Sequence, residues 1–204
     1  MDEGAKEETR KKAANELAIK EAALKLFSEK GFYATSTRDI TREACVSKGT
    51  LYWYWKSKDE LAFSLVSDML ADFLALIERA RDGEGAVAER LDKLINEVAE
   101  LYYQETDYLR LLWKFRVDRK YIFTEEYTEK VTSYYICMRN AFETMIRQGM
   151  DNGEFRKVDP KQMAFIILGI TEGMELEWLE NEEALSMRDA LVEIMDILLS
   201  SLRK

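Results

Sequence analysis

Only one proline, Pro160, occurs in this chain of 204 residues, and no other feature of the sequence constrains its fold so strongly. Proline interrupts helices and central strands, so a chain with almost none can build long, unbroken helices. Apolar residues recur at intervals of three and four along most of the chain, which is the period of an amphipathic helix. The sequence therefore predicts an all-α protein of about nine helices.

The apolar periodicity also predicts where the longer helices lie. Gly31 is placed to end the first of them, and Gly83 and Gly85 mark a loop after the helix of about two dozen residues that follows Ser57. Asp159 and Pro160 form a cap and a first helical position. The other predicted helices span residues 11–30, 87–103, 108–121, 125–151, 160–179 and 186–202.

Three helix starts are crowded into residues 36–61. Serine or threonine can cap each of them, because its oxygen accepts a backbone N–H of the first turn. Asp39 and Glu60 each follow a serine by three residues, the spacing of a capping box. The candidate caps are Ser36 or Thr37, then Ser47, then Ser57.

The first two of these helices are short, and each has a narrow apolar face. Ile40 and Ala44 share one face of the first, and Leu51 and Trp55 share one face of the second. The second helix then turns donors and flat rings outward, namely Lys48, Thr50, Trp53 and Tyr54, with Tyr52 at the edge. This pattern is typical of a helix-turn-helix recognition helix, although a short amphipathic connector has the same spacing.

The residues of this segment resemble the DNA-binding signature of the TetR (tetracycline repressor) family of bacterial and archaeal regulators. The resemblance is carried by Thr37-x-x-Ile40, by Ala44-x-Val46-Ser47-x-Gly49-Thr50-Leu51-Tyr52 and by Lys58-x-x-Leu61. The chain departs from the family at Thr41, where Ala is usual, and at Cys45, where the turn usually has Gly. Many relatives carry His at the position of Tyr54, whose phenol can still donate to a phosphate.

The resemblance implies double-stranded operator DNA as a partner, bound by a homodimer. It places base contacts at Arg38 and phosphate contacts at Tyr52 and Lys58. We expect Arg38, Lys48 and Thr50 to read bases, because long donors at helix N-termini can reach guanine O6 and N7. The full set of predicted DNA-binding residues is Thr37, Arg38, Lys48, Gly49, Thr50, Tyr52, Trp53, Tyr54 and Lys58.

The charge of the chain is unevenly distributed. Residues 1–58 contain 12 Lys and Arg against 9 Asp and Glu, and the remainder contains 18 against 30, which together give −9. The net charge of the whole chain therefore does not argue against DNA binding by its first part. We expect a DNA-binding domain at residues 1–58 and a ligand-binding and dimerisation domain at residues 59–204.

The chain lacks the residue patterns that several classes of function require. The chain has no histidine, no metal-ligand spacing and no phosphate loop or nucleophile motif, so we expect no enzyme, no metal and no cofactor. Cys45 and Cys137 are expected to be reduced and buried. No apolar run reaches the length of a membrane span and no secretory signal is present, so we expect a cytoplasmic protein without a membrane partner.

The second half of the chain is rich in aromatic rings and methionines at helical spacing. Such side chains form adaptable walls around lipophilic ligands, and they also fill ordinary cores. The candidate ligand-binding residues are Trp113, Tyr134, Met138, Phe142 and Phe165. Glu172 and Glu175 belong to an acidic cluster that we expect to be solvated, with an inward carboxylate for a cationic ligand as the alternative. The passage from Gly153 to Pro160 resembles the ligand-binding domain of choline-responsive and multidrug-efflux repressors.

The last two predicted helices carry more apolar surface than one protomer can cover from one side. Regulators of the TetR family pair these helices with their copies as a four-helix bundle, and the patterns here fit that pairing. The predicted dimer interface is Ile166, Ile170, Gly173, Leu191, Ile194 and Leu198. The sequence thus predicts a dimeric repressor released from a palindromic operator by a lipophilic or amphipathic molecule. The alternative is an architectural or constitutive DNA-binding protein without an effector.

Overall fold

The computed structural model describes residues 3–104, 106–181, 183 and 185–203, with side chains described for all of these except residues 3–5, 103 and 117–120. Nine α-helices lie in this part of the chain, and the prediction of an all-α fold is confirmed. The helices are α1 (Glu3–Lys30), α2 (Thr37–Glu43), α3 (Lys48–Tyr54), α4 (Lys58–Asp82), α5 (Val87–Gln104), α6 (Thr106–Ile122), α7 (Glu125–Asp151), α8 (Pro160–Glu180) and α9 (Met187–Leu202). Within the described residues the one isolated β-bridge joins Phe155 to Arg203.

The chain forms two compact units. The first unit is Met1–Met69 with Asp107–Thr128, and the second unit is Leu70–Thr106 with Glu129–Lys204. The chain passes between them three times, inside α4, after the first residue of α6 and inside α7. The compact units therefore differ from the predicted domains 1–58 and 59–204, a division by function that packing does not test.

The first unit is built around α1, whose buried face carries Ile19, Ala23 and Phe27. The helix begins at Glu3, eight residues before the predicted start, and it ends at Lys30, where Gly31 takes a φ of +84°. The backbone N–H of Gly31 donates to Phe27 O at 3.0 Å, in agreement with the prediction that Gly31 ends the first helix. The turn that follows returns the chain toward α2.

An aromatic cluster fills the centre of the first unit. The ring centroid of Phe32 lies 5.4 Å from that of Phe27 and 5.6 Å from that of Phe115 on α6. Phe27 and Phe115 are almost completely buried. Tilted and edge-to-face arrangements such as these are favourable beyond the area that they bury. The cluster fixes the end of α1, and with it the turn that precedes the second helix.

The second unit encloses its core between α5, α7, α8 and α9. Its tightest point lies near the end of α7, where Gly149 faces the ring of Phe155. A Cβ at Gly149 would lie within 3.0 Å of three atoms of that ring, and the ring is 1 % exposed. The N–H of Phe155 also donates to Gly149 O at 2.9 Å. Only glycine fits this contact, because real side chains do not approach so closely.

The end of α4 is held by one arginine. The NH1 group of Arg90 on α5 donates to the carbonyl oxygens of Ala80 and Arg81, each at 2.7 Å. Its NH2 group donates to Gln148 Oε1 on α7 at 2.9 Å. The last carbonyls of a helix have no partner within the helix, so Arg90 satisfies two acceptors that would otherwise need water. Three helices are tied together by this side chain.

The structure also bears on the predictions about the cysteines, metal binding and membrane insertion. Both cysteines, Cys45 and Cys137, are exposed thiols, so the expectation that they are buried is wrong. Within the described residues no three potential metal ligands lie together. None of the helices in that part of the chain combines the length and hydropathy needed to cross a lipid bilayer.

Candidate functional site

Each of the helices α2 and α3 begins at a serine whose hydroxyl accepts a backbone N–H of the first turn. Ser36 Oγ accepts from Asp39 N at 3.2 Å while Ser36 N donates to Asp39 Oδ2 at 3.1 Å, which is a complete capping box. Ser47 Oγ accepts from Thr50 N at 3.0 Å. The predicted caps at Ser36 and Ser47 are therefore confirmed, and Thr37 is the first helical residue.

The turn between α2 and α3 contains a left-handed residue that is not glycine. Cys45 has a φ of +53°. The next residue, Val46, donates its N–H to Thr41 O at 3.0 Å and so closes the turn. A side chain in this conformation is strained by contact between Cβ and the following carbonyl oxygen. Cys45 therefore occupies a backbone conformation that glycine adopts without this strain.

Replacing Cys45 by glycine should stabilise the protein. Relief of the left-handed conformation contributes about 1–2 kcal/mol, and the greater freedom of glycine in the unfolded chain offsets about 0.5–1 kcal/mol. We expect a net gain of about 0.5–1 kcal/mol, measured by urea denaturation at fixed protein concentration. Cys45→Ala is the control, because it keeps the Cβ and the strain. Equal stability of the glycine and alanine variants would contradict the argument.

Helix α3 has the predicted buried face, but of the four residues predicted to point outward only Lys48 and Trp53 are exposed, whereas Thr50 and Tyr54 are half-buried. Leu51 is fully buried and Trp55 is 6 % exposed, whereas Trp53 is 64 % exposed. Lys48, Gly49 and Tyr52 are exposed on the same helix, and Lys48 Nζ lies 5.6 Å from the ring centroid of Tyr52. Arg38 is exposed in the first turn of α2. The surface formed by α2 and α3 therefore presents cations, hydroxyls and flat rings.

Two of the predicted phosphate-binding residues have partners inside the first unit. The hydroxyl of Tyr54 donates to the backbone oxygen of Lys12 at 2.6 Å. Lys58 Nζ donates to Phe32 O at 2.7 Å and to Thr35 O at 2.8 Å, and it lies 4.1 Å from the ring centroid of Phe32. Burial accordingly lowers the pKa of Lys58. The proposed donors of Tyr54 and Lys58 are therefore largely occupied by the protein itself.

The first half of α1 makes contacts with the recognition helix that the sequence did not indicate. Besides accepting from Tyr54, Lys12 places its Nζ 5.5 Å from the ring centroid of Trp53, and Glu8 forms an ion pair with the same ammonium at 2.7 Å. The two contacts with α3 connect residues 41 and 42 positions apart. Helical periodicity does not mark them, because it reports which residues share a face and not which other helix that face meets.

Comparison with known proteins places the chain in a family. The family model described as "Bacterial regulatory proteins, tetR family" matches residues 19–65, and "Tetracyclin repressor-like, C-terminal domain" matches residues 84–202. The chain belongs to the TetR family of transcriptional regulators. The resemblance noted from α2 and α3 is thereby confirmed.

Three relatives illustrate the similarity of this TetR-family protein to others. The HTH-type transcriptional regulator YfiR of Bacillus subtilis is 26% identical over 164 residues, 76% of each chain. The transcriptional regulator FadR from Bacillus subtilis, solved in complex with stearoyl-CoA, has a TM-score of 0.74 at 18% identity, covering 91% of this chain and 98% of FadR. SmeT, the repressor of a Stenotrophomonas maltophilia multidrug efflux pump, was solved with triclosan and has a TM-score of 0.81 at 20% identity, covering 94% of this chain and 92% of SmeT.

The predicted ligand-binding residues of this TetR-family protein are divided between the two compact units. Trp113 lies on α6 in the first unit, whereas the other four lie in the second. Met138 and Phe142 are buried on α7, and Tyr134 is half-buried one turn before Met138. Phe165 is 65 % exposed on α8, in a shallow groove of about 350 Å³ with Lys161, Gln162 and Ile166. Phe165 therefore lies apart from the buried side chains of Met138 and Phe142, and its role in ligand binding stays a prediction.

A buried polar pair lies beside the ring-rich face of α7. Glu175 on α8 is 7 % exposed, and its Oε1 accepts a hydrogen bond from the hydroxyl of Tyr102 on α5, which is 4 % exposed. Burial, followed by the charge of Glu175, raises the pKa of Tyr102 well above its ordinary value. From the sequence, an inward-facing Glu175 is only the alternative to a solvated one, and no sequence pattern marks Tyr102 as its partner.

The last two helices expose an apolar stripe. On α8 a Cβ added at either Gly169 or Gly173 would meet no atom within 4 Å. Large apolar residues on the same helix are exposed beside these glycines, and α9 adds two more. The stripe contains Phe165, Ile166, Gly169, Gly173, Leu176, Val192 and Ile197. We call this set the α8–α9 stripe.

Of the predicted dimer residues, Leu191 is fully buried within the protomer on the same face of α9 as Met195 and Leu199. A side chain with no exposed surface cannot contact a partner, so its assignment to the interface is wrong. Ile170, Ile194 and Leu198 are half-buried, whereas Ile166 and Gly173 belong to the α8–α9 stripe.

Proposed function

We propose that this TetR-family regulator is a homodimeric repressor that binds a palindromic operator through α2 and α3 and is released by a lipophilic or amphipathic small molecule. The observation that carries the proposal is the exposed face of α3. Lys48, Tyr52 and Trp53 have no role in the core, and a short helix of this kind fits the major groove. Arg38 extends the same surface from α2.

The homodimer is supported by the α8–α9 stripe. Two exposed glycines spaced four residues apart let another helix approach closely, and the apolar side chains around them supply area to bury. Two copies related by a two-fold axis would present two recognition helices to half-sites about one turn of DNA, roughly 34 Å, apart.

An effector is supported by the contents of the second unit and by the relatives. The interior faces of α5, α7 and α8 combine rings, methionine and one polar pair, which is the usual composition of a small-molecule site. FadR was solved with stearoyl-CoA and SmeT with triclosan, two ligands with large apolar parts. An effector that favours the DNA-free arrangement by about 1–3 kcal/mol would lower operator affinity about 5- to 150-fold.

Operator binding tests the proposal. Fluorescence anisotropy with duplexes from the DNA upstream of the coding region should reveal a sequence-selective complex whose affinity falls steeply with salt. Each phosphate contact contributes about 0.9 to the slope of log K against log salt concentration. Absence of any selective, salt-sensitive complex would refute the function.

Arg38→Ala should weaken operator binding by about 1–3 kcal/mol and relax the preference at one base pair. The guanidinium is exposed and is not needed by the fold, so unfolding stability should be unchanged. Lys58→Met is the contrasting control, because its ammonium is committed to Phe32 O and Thr35 O. That variant should lose stability while keeping the salt slope of the wild type. Anisotropy across salt concentrations and operator variants separates the two, and a flattened slope for Lys58→Met would restore its role as a phosphate contact.

A further inference from the structure

Glu175 is the one charged residue buried within the part of the chain that the structure describes. It lies on α8 near the middle of the second unit, three residues before the buried Trp178 on the same helical face. An ionised carboxylate is expensive to remove from water unless strong partners receive it. The neighbours of Glu175 therefore decide what this position can recognise.

Four helices converge on this carboxylate through Tyr102. The hydroxyl of Tyr102 donates to Glu175 Oε1, and the ring centroid of Tyr102 lies 5.4 Å from that of Phe73 on α4 at 71°. Tyr135 on α7 and Glu172 on α8 are close enough to influence the titration of the Tyr102 phenol. The pair thus has a ring from α4 in contact with Tyr102 and a ring from α7 nearby.

The direction of the hydrogen bond is fixed by this environment. Burial and the charge of Glu175 keep the phenol of Tyr102 protonated, so the phenol is the donor and the carboxylate the acceptor. An ionised carboxylate has about four acceptor positions and no donor. Further hydrogen bonds at Glu175 must therefore come from donors, and cations are favoured over anions by its charge.

Helix α7, which brings Tyr135 near the phenol of Tyr102, also carries three of the predicted ligand-binding residues. Met138 and Phe142 are buried, and they follow Tyr135 by three and seven residues, on one face of the helix. Rings and methionine suit an apolar body, and the faces of aromatic rings attract cations. Among its described residues, the second unit therefore combines apolar side chains on α7 with one buried carboxylate, Glu175.

We propose that the effector of this regulator carries a protonated amine at the end of an apolar body, and that Glu175, oriented by Tyr102, receives that amine. This inference rests on the proposed effector control, and it adds the chemical class of the effector. Molecules of the same apolar body that end in a carboxylate are discriminated against, because their charge would meet that of Glu175.

A matched series of decyl compounds tests the proposal on the full-length protein. Decylamine, decanol and decanoate differ only in the head group, and each is titrated by calorimetry below its micelle-forming concentration at neutral pH. We expect decylamine to bind at least about tenfold more tightly than decanoate, with decanol between them. Equal or tighter binding of decanoate, or no binding of any of the three, would overturn the proposal.

Substitution at Glu175 shows whether the carboxylate is responsible. Glu175→Gln keeps the size and removes the charge, so the ratio of decylamine to decanoate affinity should fall to within about threefold. Glu177→Gln makes the same charge change at an exposed position of α8 and should leave the ratio unchanged. A preference for decylamine that survives Glu175→Gln would contradict the proposal.

Tyr102→Phe provides a second route if Glu175→Gln fails to fold. It removes the orienting donor and keeps the charge, so decylamine should bind more weakly than to the wild type but still more tightly than decanoate. A loss of this preference would count against Glu175 as the receiving group. Operator affinity is measured separately by anisotropy. A protein that binds its operator but shows no preference for the amine disproves this inference alone, whereas loss of selective operator binding disproves the proposed function.

Discussion

Phe165→Glu is expected to convert the proposed dimer to monomers and to lower operator affinity about 10²- to 10⁴-fold, the range lost when two linked binding events become one. Phe165 is 65 % exposed in the protomer and lies in the α8–α9 stripe, so the substitution should not disturb folding of the single chain. In a dimer the new carboxylate would be enclosed without a partner, which costs several kcal/mol. Light scattering measures the mass, and anisotropy measures the affinity.

Ile136→Glu is the matched control for the loss of the dimer. Ile136 is 49 % exposed on α7 of the same unit, so the change in charge and exposure is similar while the stripe is intact. This variant should remain dimeric and bind the operator normally. A dimeric Phe165→Glu protein, or an equally monomeric Ile136→Glu protein, would place the interface on another surface.

Gly149→Ala should reduce the free energy of unfolding by about 3 kcal/mol, at the upper end of overpacking effects in protein cores. The added methyl group would overlap three atoms of the Phe155 ring, which is itself almost completely buried. For a chain of this size the midpoint of thermal unfolding should fall by roughly 6–12 °C. Helix propensity alone predicts the opposite sign, because alanine favours helices over glycine by about 1 kcal/mol.

The double variant Gly149→Ala with Phe155→Leu separates overlap from other causes. Leucine removes the ring atoms that the methyl group would meet, so the double variant should be more stable than the sum of the single effects by at least about 1 kcal/mol. All four proteins are compared at one protomer concentration, because dimer formation shifts the transition. Strict additivity would show that Phe155 is not the obstacle.

Local features of the fold were predictable because they are encoded by neighbouring residues. The caps at Ser36 and Ser47 are satisfied by N–H groups three residues away, and Gly31 ends α1 by its own conformation. The inward face of α3, formed by Leu51 and Trp55, follows from helical spacing alone. These signals require no knowledge of what packs against them.

The roles of individual polar donors were not predictable in the same way. Lys58 and Tyr54 carry the residue types expected at a phosphate, yet their partners lie 23 to 42 positions earlier in the chain. A hydrogen bond over such a separation depends on how α1 ends and how the following turn runs. Residue type and helical spacing therefore predict which surface is exposed on α2 and α3. They do not predict which hydrogen-bond donors on that surface remain available to DNA phosphates.

Apolar residues posed a related difficulty. Leu191 and Phe165 have the periodicity of their helices, but one is fully buried and the other is largely exposed. Helices α8 and α9 are apolar on more than one face, and the sequence pattern cannot tell which face meets the protomer's own core. Trp113 likewise has the expected chemistry, but its helix packs into the other unit, a long-range outcome that no local pattern records.

The first of the three points at which the chain passes between the two units lies within α4 and not in a loop. Residues on both sides of Met69 continue one helix of 25 residues, held by Lys58 hydrogen bonds at its start and by Arg90 at its end. A hybrid that joins the DNA-reading part of one regulator to the effector part of another must therefore splice a helix. Each residue added or lost at the splice turns everything beyond it by about 100° and shifts it by about 1.5 Å. Exchange of specificities between such proteins is consequently restricted to junctions that preserve helical phase.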